Sequence, residues 1–172
     1  MSSSIAQRLG LLRKSFKIFN DHSVLSKCFN SFIFSYFEYC TPVWTSATES
    51  HFKLLDKNLN GCRFLIPELN IDLWHRRAIS CLCMLFKLYH NPKHPLHLEI
   101  PNLTQPVHVT RTTARSHSRS FNLVRSNTVQ HSRCFIPATT KSWNDLPCEV
   151  VECADLQIFK VCANMFLLNR YI

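Results

Sequence analysis

Two-metal phosphoryl transfer needs carboxylates that converge on one point. The eleven Asp and Glu residues of this sequence offer no such pattern, since no two are adjacent. Glu149, Glu152 and Asp155 come closest, at helical intervals, and acids so spaced are expected to form the acidic first turn of a helix. Two glycines, Gly10 and Gly61, leave no Gly-rich loop to cradle a phosphate. Cys81, Cys83, His90 and His94 supply the residue types of a zinc site. Residues two apart on a helix point about 200° apart, so two such thiolates do not face one ion. Cys148, Cys153 and Cys162 lack a fourth ligand at a metal-binding spacing. Nine Cys and nine His make chance pairs easy to find, but no local signature marks a nucleophile with its base. The expectation is a chain with no catalytic residue, no metal and no cofactor.

The side chains that remain are cations. The formal charge is +9, and its distribution is uneven. Residues 100–144 carry Arg111, Arg115, Arg119, Arg125, Arg133 and Lys141 and not one acid. A basic stretch without acids points to a polyanion, most often nucleic acid. Arg76 and Arg77 follow Trp74 and His75 at an expected helix start, where backbone amides already attract phosphate. The plainer reading pairs one of them with Asp72 and leaves the other solvated. Trp44, Trp74 and Trp143 could stack on bases, although Trp on an apolar stripe is more often core.

These groups need elements to hold them. Ser2 to Ser4 offer a cap, and Ile5, Leu9, Leu12, Phe16 and Phe19 then trace one helix face. Arg8, Arg13, Lys14 and Lys17 lie largely off that stripe. Asp21 to Ser23 can cap a second helix with a wide apolar face from Val24 to Phe37. Ser46 with Glu49 fits a capping box for a third, carrying Phe52, Leu55, Leu59 and Cys62. Asp72 can cap a fourth, whose stripe is Trp74, Ala78, Cys81, Leu82, Leu85 and Tyr89, stopped by Asn91-Pro92. From His94 to Arg133 the period fails, and a loop or linker is expected, with a short strand near Val107 to Val109. Pro137 suits the first position of a helix reaching Trp143. A last helix starts near Asp155, with Leu156, Phe159, Ala163, Phe166 and Leu167 on one side.

The class that follows is all-α: a bundle of about four helices, an irregular basic linker and a short C-terminal helical pair. With 46% hydrophobic residues and thirteen Phe among 172 residues, the chain can bury a core. The scarcity of Gly disfavours tight hairpins. The Cys count is odd, without a disulfide framework, and Cys28, Cys81, Cys83 and Cys162 sit among apolar residues. No secretory h-region follows Met1, and the longest apolar run is too short to span a bilayer. An intracellular setting, nucleus or cytoplasm, is expected, with no membrane contact.

Several segments share an order and spacing with one family. They are Ile5–Arg13, Phe32–Trp44, Leu54–Leu65, Asp72–Arg77, Leu82–Leu96, Thr110-Arg111, Phe135–Pro147 and Phe159-Lys160. Together they resemble the C-terminal end, the thumb and post-thumb region, of reverse transcriptases encoded by jockey-like non-LTR retrotransposons (LINE elements). The resemblance implies RNA-directed DNA polymerase activity for a parent protein. That activity does not carry over to these residues: the palm motif with paired Asp, and the endonuclease, are absent from this sequence. The pattern of the residues divides the chain into 1–93 helical, 94–133 basic linker and 134–172 C-terminal helical segment, and the resemblance makes the first of these thumb-like. A thumb grips a template–primer duplex by its backbone, which calls for cations on a stiff helical support.

Two readings follow. In the first, the chain is a truncated or degenerate element-derived fragment that binds RNA or RNA–DNA duplex weakly and without sequence preference. Its contacts are Arg8, Arg13, Lys14, Lys17, Arg76, Arg77, Arg111, Arg115, Arg119, Arg125 and Arg133. In the second, it is a helical interaction module that docks on a polymerase core or another protein through the Phe-rich face of residues 24–37. Neither includes catalysis by this chain. Primer extension with the purified protein is expected to match a no-protein control in Mg²⁺ and in Mn²⁺. Extension above that control, lost when one acid is replaced, would overturn the expectation.

Overall fold

The computed structural model describes residues 2–19, 21–63, 72–103 and 117–170. Among them the chain is all-α, and the β structure is one isolated antiparallel bridge, Leu103 with Phe121. The expected strand near Val107 to Val109 lies outside the described residues. The chain divides into two compact units. One comprises residues 1–41 with 47–74, the other residues 42–46 with 75–172. This is not the expected plan of 1–93, 94–133 and 134–172, because the fourth helix shares its core with the C-terminal helices.

In the first unit, α1 (Ser2–Phe19) buries Ile5, Leu9 and Leu12 and packs on α5 (Glu49–Arg63), which buries Leu55 and Leu59. The helix starts at Ser2, so Ser3 and Ser4 lie within its first turn and not ahead of it. Asp21 caps α2 (His22–Phe29) as expected: its carboxylate accepts from the Ser23 and Val24 amides at 2.8 and 3.4 Å. A π-helical turn, Asn30–Phe34, then leads into α3 (Ser35–Glu38). In a π turn successive residues rotate by less than the ~100° of an α-helix. The consecutive Ile33 and Phe34 are thereby both buried, with Phe29 and Phe37 beside Phe34 at ring distances of 6.0 and 6.5 Å. Past the end of α3, Cys40 takes φ 51°, the left-handed region where helices usually place Gly. The Thr41 hydroxyl, at the start of α4 (Thr41–Trp44), donates to the Glu38 carbonyl at 2.8 Å and satisfies one terminal acceptor.

The expected capping box is corrected. α5 begins at Glu49, so Thr48 and not Ser46 occupies the cap, its carbonyl accepting from the His51 and Phe52 amides. Glu49 pairs instead with Lys53 at 3.0 Å. Asp72 caps α6 (Leu73–His90) as expected, accepting from the Trp74 amide at 2.9 Å.

The second unit is organised by the aromatic stripe of α6. Phe86 and Tyr89 meet α8 (Phe135–Asn144) and α10 (Leu156–Arg170) around Trp143, which is 0% exposed. Ring distances from Trp143 are 5.5 Å to Phe159, 5.7 Å to Phe121, 6.0 Å to Tyr89 and 6.5 Å to Phe86. Its indole N–H donates to the Arg119 carbonyl at 3.0 Å, so the buried polar handle has a partner. Val150 and Val151 of α9 (Cys148–Val151) close the cluster. α10 begins where Asp155 accepts from the Gln157 and Ile158 amides, and Phe159, Ala163 and Leu167 face inward as the spacing predicts. Pro137 stands third in α8 and not first, still within the turn whose amides have no helical acceptor.

The expected linker is only partly irregular. A 3₁₀ turn, Pro95–Glu99, is capped by His94, and α7 (Val129–Ser132) is capped by Thr128. Between them Phe121 is a core residue. The Asn144 side chain clamps it: Oδ1 accepts from the Phe121 amide and Nδ2 donates to the Phe121 carbonyl, both at 2.8 Å. One amide thus replaces a missing strand. Asn144→Ala removes both partners at once, and each unmet buried backbone group costs about 1–3 kcal/mol. Urea unfolding is expected to show a loss of about 2–4 kcal/mol; an unchanged midpoint would show that the clamp contributes nothing.

Candidate nucleic-acid interface

The expected contact residues do not share one fate. In the first unit, Arg8 is turned inward. Its guanidinium lies over the Tyr36 ring at 4.3 Å and donates to the Tyr36 hydroxyl at 2.5 Å and to the Phe32 carbonyl at 3.3 Å. It ties α1 to the π turn and α3. Arg13 and Lys14 are exposed. A Cβ at Gly61 would lie 3.4 Å from Nη2 of Arg13, so the missing side chain leaves room for that guanidinium beside α5. The side chain of Lys17 lies outside the described residues.

In the second unit, Arg76 is exposed and Arg77 is 7% exposed. The Arg77 guanidinium sits under the Trp44 ring at 5.1 Å, a cation–π contact within the protein. The sequence reading, which weighed a phosphate contact against an Asp72 pair or solvation, did not foresee this. Arg119 is half-buried and donates to the Val151 carbonyl at 3.0 Å, joining the Phe121 segment to α9. Arg125, Arg133 and Lys141 are exposed. Arg111 and Arg115 lie outside the described residues.

The tryptophans also divide. Trp143 is core, whereas Trp74 is exposed, with Phe52 edge-on at 6.5 Å. Trp74 is therefore not on the buried face of α6, whose inward apolar residues include Leu73, Ile79, Leu82 and Leu85. His75, beside it, is a buried residue that pattern reading missed. Its Nε2 pairs with Oδ1 of Asn164 at 2.7 Å and links α6 to α10. A polar pair 89 residues apart leaves no local signal in a sequence.

The residues screened for chemistry have other partners. His94 accepts from the Leu96 amide through Nδ1, and His90 lies on the Phe86 ring at 4.3 Å. Burial and the nearby Arg119 charge hold the His90 pKa below its ordinary value. A cleft of about 380 Å³ beside them is lined by Met84, Lys87, Asn91 and Leu156 among others, with neither carboxylate nor thiol. Among the described residues no three His, Cys, Asp or Glu side chains are grouped to hold a metal ion. No helix is long and apolar enough to cross a membrane, among the same residues. Asp155 caps α10, Glu149 lies in the first turn of α9, and Glu152 accepts from the Cys148 thiol at 3.0 Å.

Cys81 is buried among the apolar residues of α6. Burial pushes its thiol up to about 12, against a smaller opposing effect from a Thr139 hydrogen bond. A raised folded-state pKa favours the protonated native form. Its contribution is complete below pH 9 and is lost as pH rises from 9 towards 12. The native protein is therefore expected to resist alkylation at Cys81 at pH 8 while the exposed Cys40 reacts, with the unfolding free energy falling above pH 9. In Cys81→Ala that alkaline slope should shrink; labelling of Cys81 as fast as Cys40 would refute the assignment. Comparison of the chain with protein families, with curated proteins and with solved structures finds no match.

Proposed function

We propose that this chain is a non-catalytic helical module that binds RNA or RNA–DNA duplex through the sugar–phosphate backbone. We further propose that it corresponds to the thumb and post-thumb region of a non-LTR retrotransposon reverse transcriptase. The observation that carries the binding proposal is the acid-free run from residue 100 to 144, whose described outward cations, Arg125, Arg133 and Lys141, are all exposed. Arg111 and Arg115 belong to the same run by sequence. Exposed guanidiniums without neighbouring carboxylates release counterions from a polyanion and lose little to internal competition. Arg13, Lys14 and Arg76 are exposed and supplement them, while Arg8, Arg77 and Arg119 hold the protein together.

A second reading, protein docking, changes its surface. The face from Val24 to Phe37 is largely buried in the first unit's own core, with Leu25, Phe29, Ile33, Phe34 and Phe37 all inside. Val24 and Phe32 of that face stay exposed, as do apolar side chains elsewhere, but a regular outward row lies on α10, where Ile158, Val161, Met165 and Leu168 are exposed at spacings of three, four and three. That is the repeat with which one helix seats against another.

Mobility shifts with duplex at rising salt separate the readings. If about five phosphates are neutralised, log K falls with log salt at a slope of about −4 to −5. Arg125→Ala with Arg133→Ala is expected to flatten the slope by roughly two units and weaken all sequences alike. Arg77→Ala is expected to lower stability with little change in slope, and Lys53→Ala to do little. Absence of binding at low salt, or indifference to the Arg125 and Arg133 changes, would shift the assignment to docking through α10.

A further inference from the structure

We propose that the cleft at the C-terminal end of α6 binds one nucleoside monophosphate, either free or as the 5′-phosphorylated end of a strand. The cleft holds about 380 Å³, near the lower end of the range for small-molecule sites. That is room for a base with its phosphate and not for a duplex. The site is therefore of a different kind from the exposed arginines proposed to hold a duplex backbone. For a strand end the assignment rests on that reading; for the free nucleotide it stands alone.

The polar groups of the cleft suit an anion. Lys87, His90, Asn91 and His94 can all donate, and none is acidic. Lys87 is exposed, and among the described residues no carboxylate pairs with it. The His94 ring accepts from the Leu96 amide at Nδ1, 3.1 Å away, so Nε2 carries the proton of the neutral ring and is left as a donor. A point charge and a ring N–H match the oxygens of a phosphate. A helix C-terminus ordinarily repels an anion. Here that field is answered within the protein, because the Leu88 carbonyl accepts from His97 Nδ1 at 2.7 Å and from the Asn91 amide at 3.4 Å. Asp155, between the lining residues Ala154 and Leu156, turns its carboxylate to the Gln157 and Ile158 amides at 2.8 and 3.0 Å. The Arg119 charge also reaches His90 and adds to the positive potential.

The remaining wall is flat and apolar. The His90 ring lies on that of Phe86, with centroids 4.3 Å apart. Phe86 is buried and His90 exposed, so the imidazole is the outer member of the stack. A base can continue it whatever its identity, since every base has a π face. Met84 and Leu156 add apolar surface, and the Asn91 side-chain amide offers a donor and an acceptor to a base edge. An inorganic anion would leave the rings unused, and an uncharged ring compound would leave Lys87 unused.

The test titrates the full chain with adenosine 5′-monophosphate, adenosine and inorganic phosphate, following the His90 and His94 imidazole resonances by NMR and affinity by calorimetry. The monophosphate is expected to shift both rings and to bind about tenfold or more tightly than either of its parts. Lys87→Ala is expected to weaken the monophosphate about tenfold and leave adenosine unchanged, whereas His90→Ala weakens both. Both side chains are exposed, and near-UV circular dichroism of each variant should match the parent. Lys53→Ala should change nothing. A single-stranded tetranucleotide with a 5′-phosphate is compared with its 5′-hydroxyl form: preference for the phosphate assigns the site to strand ends, and equal binding assigns it to the free nucleotide. Because the monophosphate carries no strand, its binding is read independently of any duplex affinity, and either can fail without the other. Equal affinity for the monophosphate, adenosine and inorganic phosphate, binding that shifts neither ring, or indifference to the Lys87 and His90 changes would each overturn the proposal.

Discussion

Trp143 is the constraint on which the second unit depends. An indole can be buried completely only where its N–H finds an acceptor, and here that acceptor is a backbone carbonyl outside any helix, that of Arg119. The requirement holds residues 117–122 against the core and buries Ser120 and Phe121. It is met jointly by the Trp143 carbonyl, 3.1 Å from His117 Nε2, and by the two-way clamp of Asn144 on Phe121. Neighbouring residues of one helix thus hold a segment that has no helix or sheet of its own. Aromatic rings from α6, α8, α10 and that segment then meet around one point.

The same constraint decides which cations are free. Where an arginine's neighbours are recruited into the core, its guanidinium finds an internal acceptor or a ring before it finds solvent. Arg119 follows its own carbonyl into the Trp143 network and ends on Val151. Arg77 lies on the inward side of α6 and is roofed by Trp44. Arg125 and Arg133 are exposed. A burial-driven rule thus divides the basic residues between cohesion and surface charge, and net charge alone does not reveal the split.

What the sequence made legible was local. Asp21, Asp72 and Asp155 cap helices because a short acidic side chain before an apolar stripe acts within three residues. The inward face of α10 and the stop after His90 follow from period and proline in the same way. The misses are non-local or depend on a register change. Thr48 displaced Ser46 as a cap by two positions, within the ordinary blur of helix ends. The π turn leaves the pattern of residues 24–37 apolar whichever way its register runs, so the inward burial of both Ile33 and Phe34 could not be read. Phe121 stands in a polar, Arg-rich stretch where composition argues for a loop, and distant residues, Asn144, Trp143, Tyr89 and Leu103, make it core. Of the proposed contacts, outward cations such as Arg13 and Arg133 matched their off-stripe or loop positions. Arg8, Arg77 and Arg119 did not, because Tyr36, Trp44 and Val151 reach them from other elements.

The chain passes between its two units more than once. Residues 42–46 belong with the unit that otherwise begins at His75, although they are flanked on both sides by residues of the other. During synthesis, Trp44 leaves the ribosome more than thirty residues ahead of Arg77, the side chain that it covers. The first unit, by contrast, has all of its members once Trp74 is made. Order of emergence and order of assembly therefore differ at one short helix, Thr41–Trp44. In that interval the Trp44 indole waits in the nascent chain without the guanidinium that will pack on its ring.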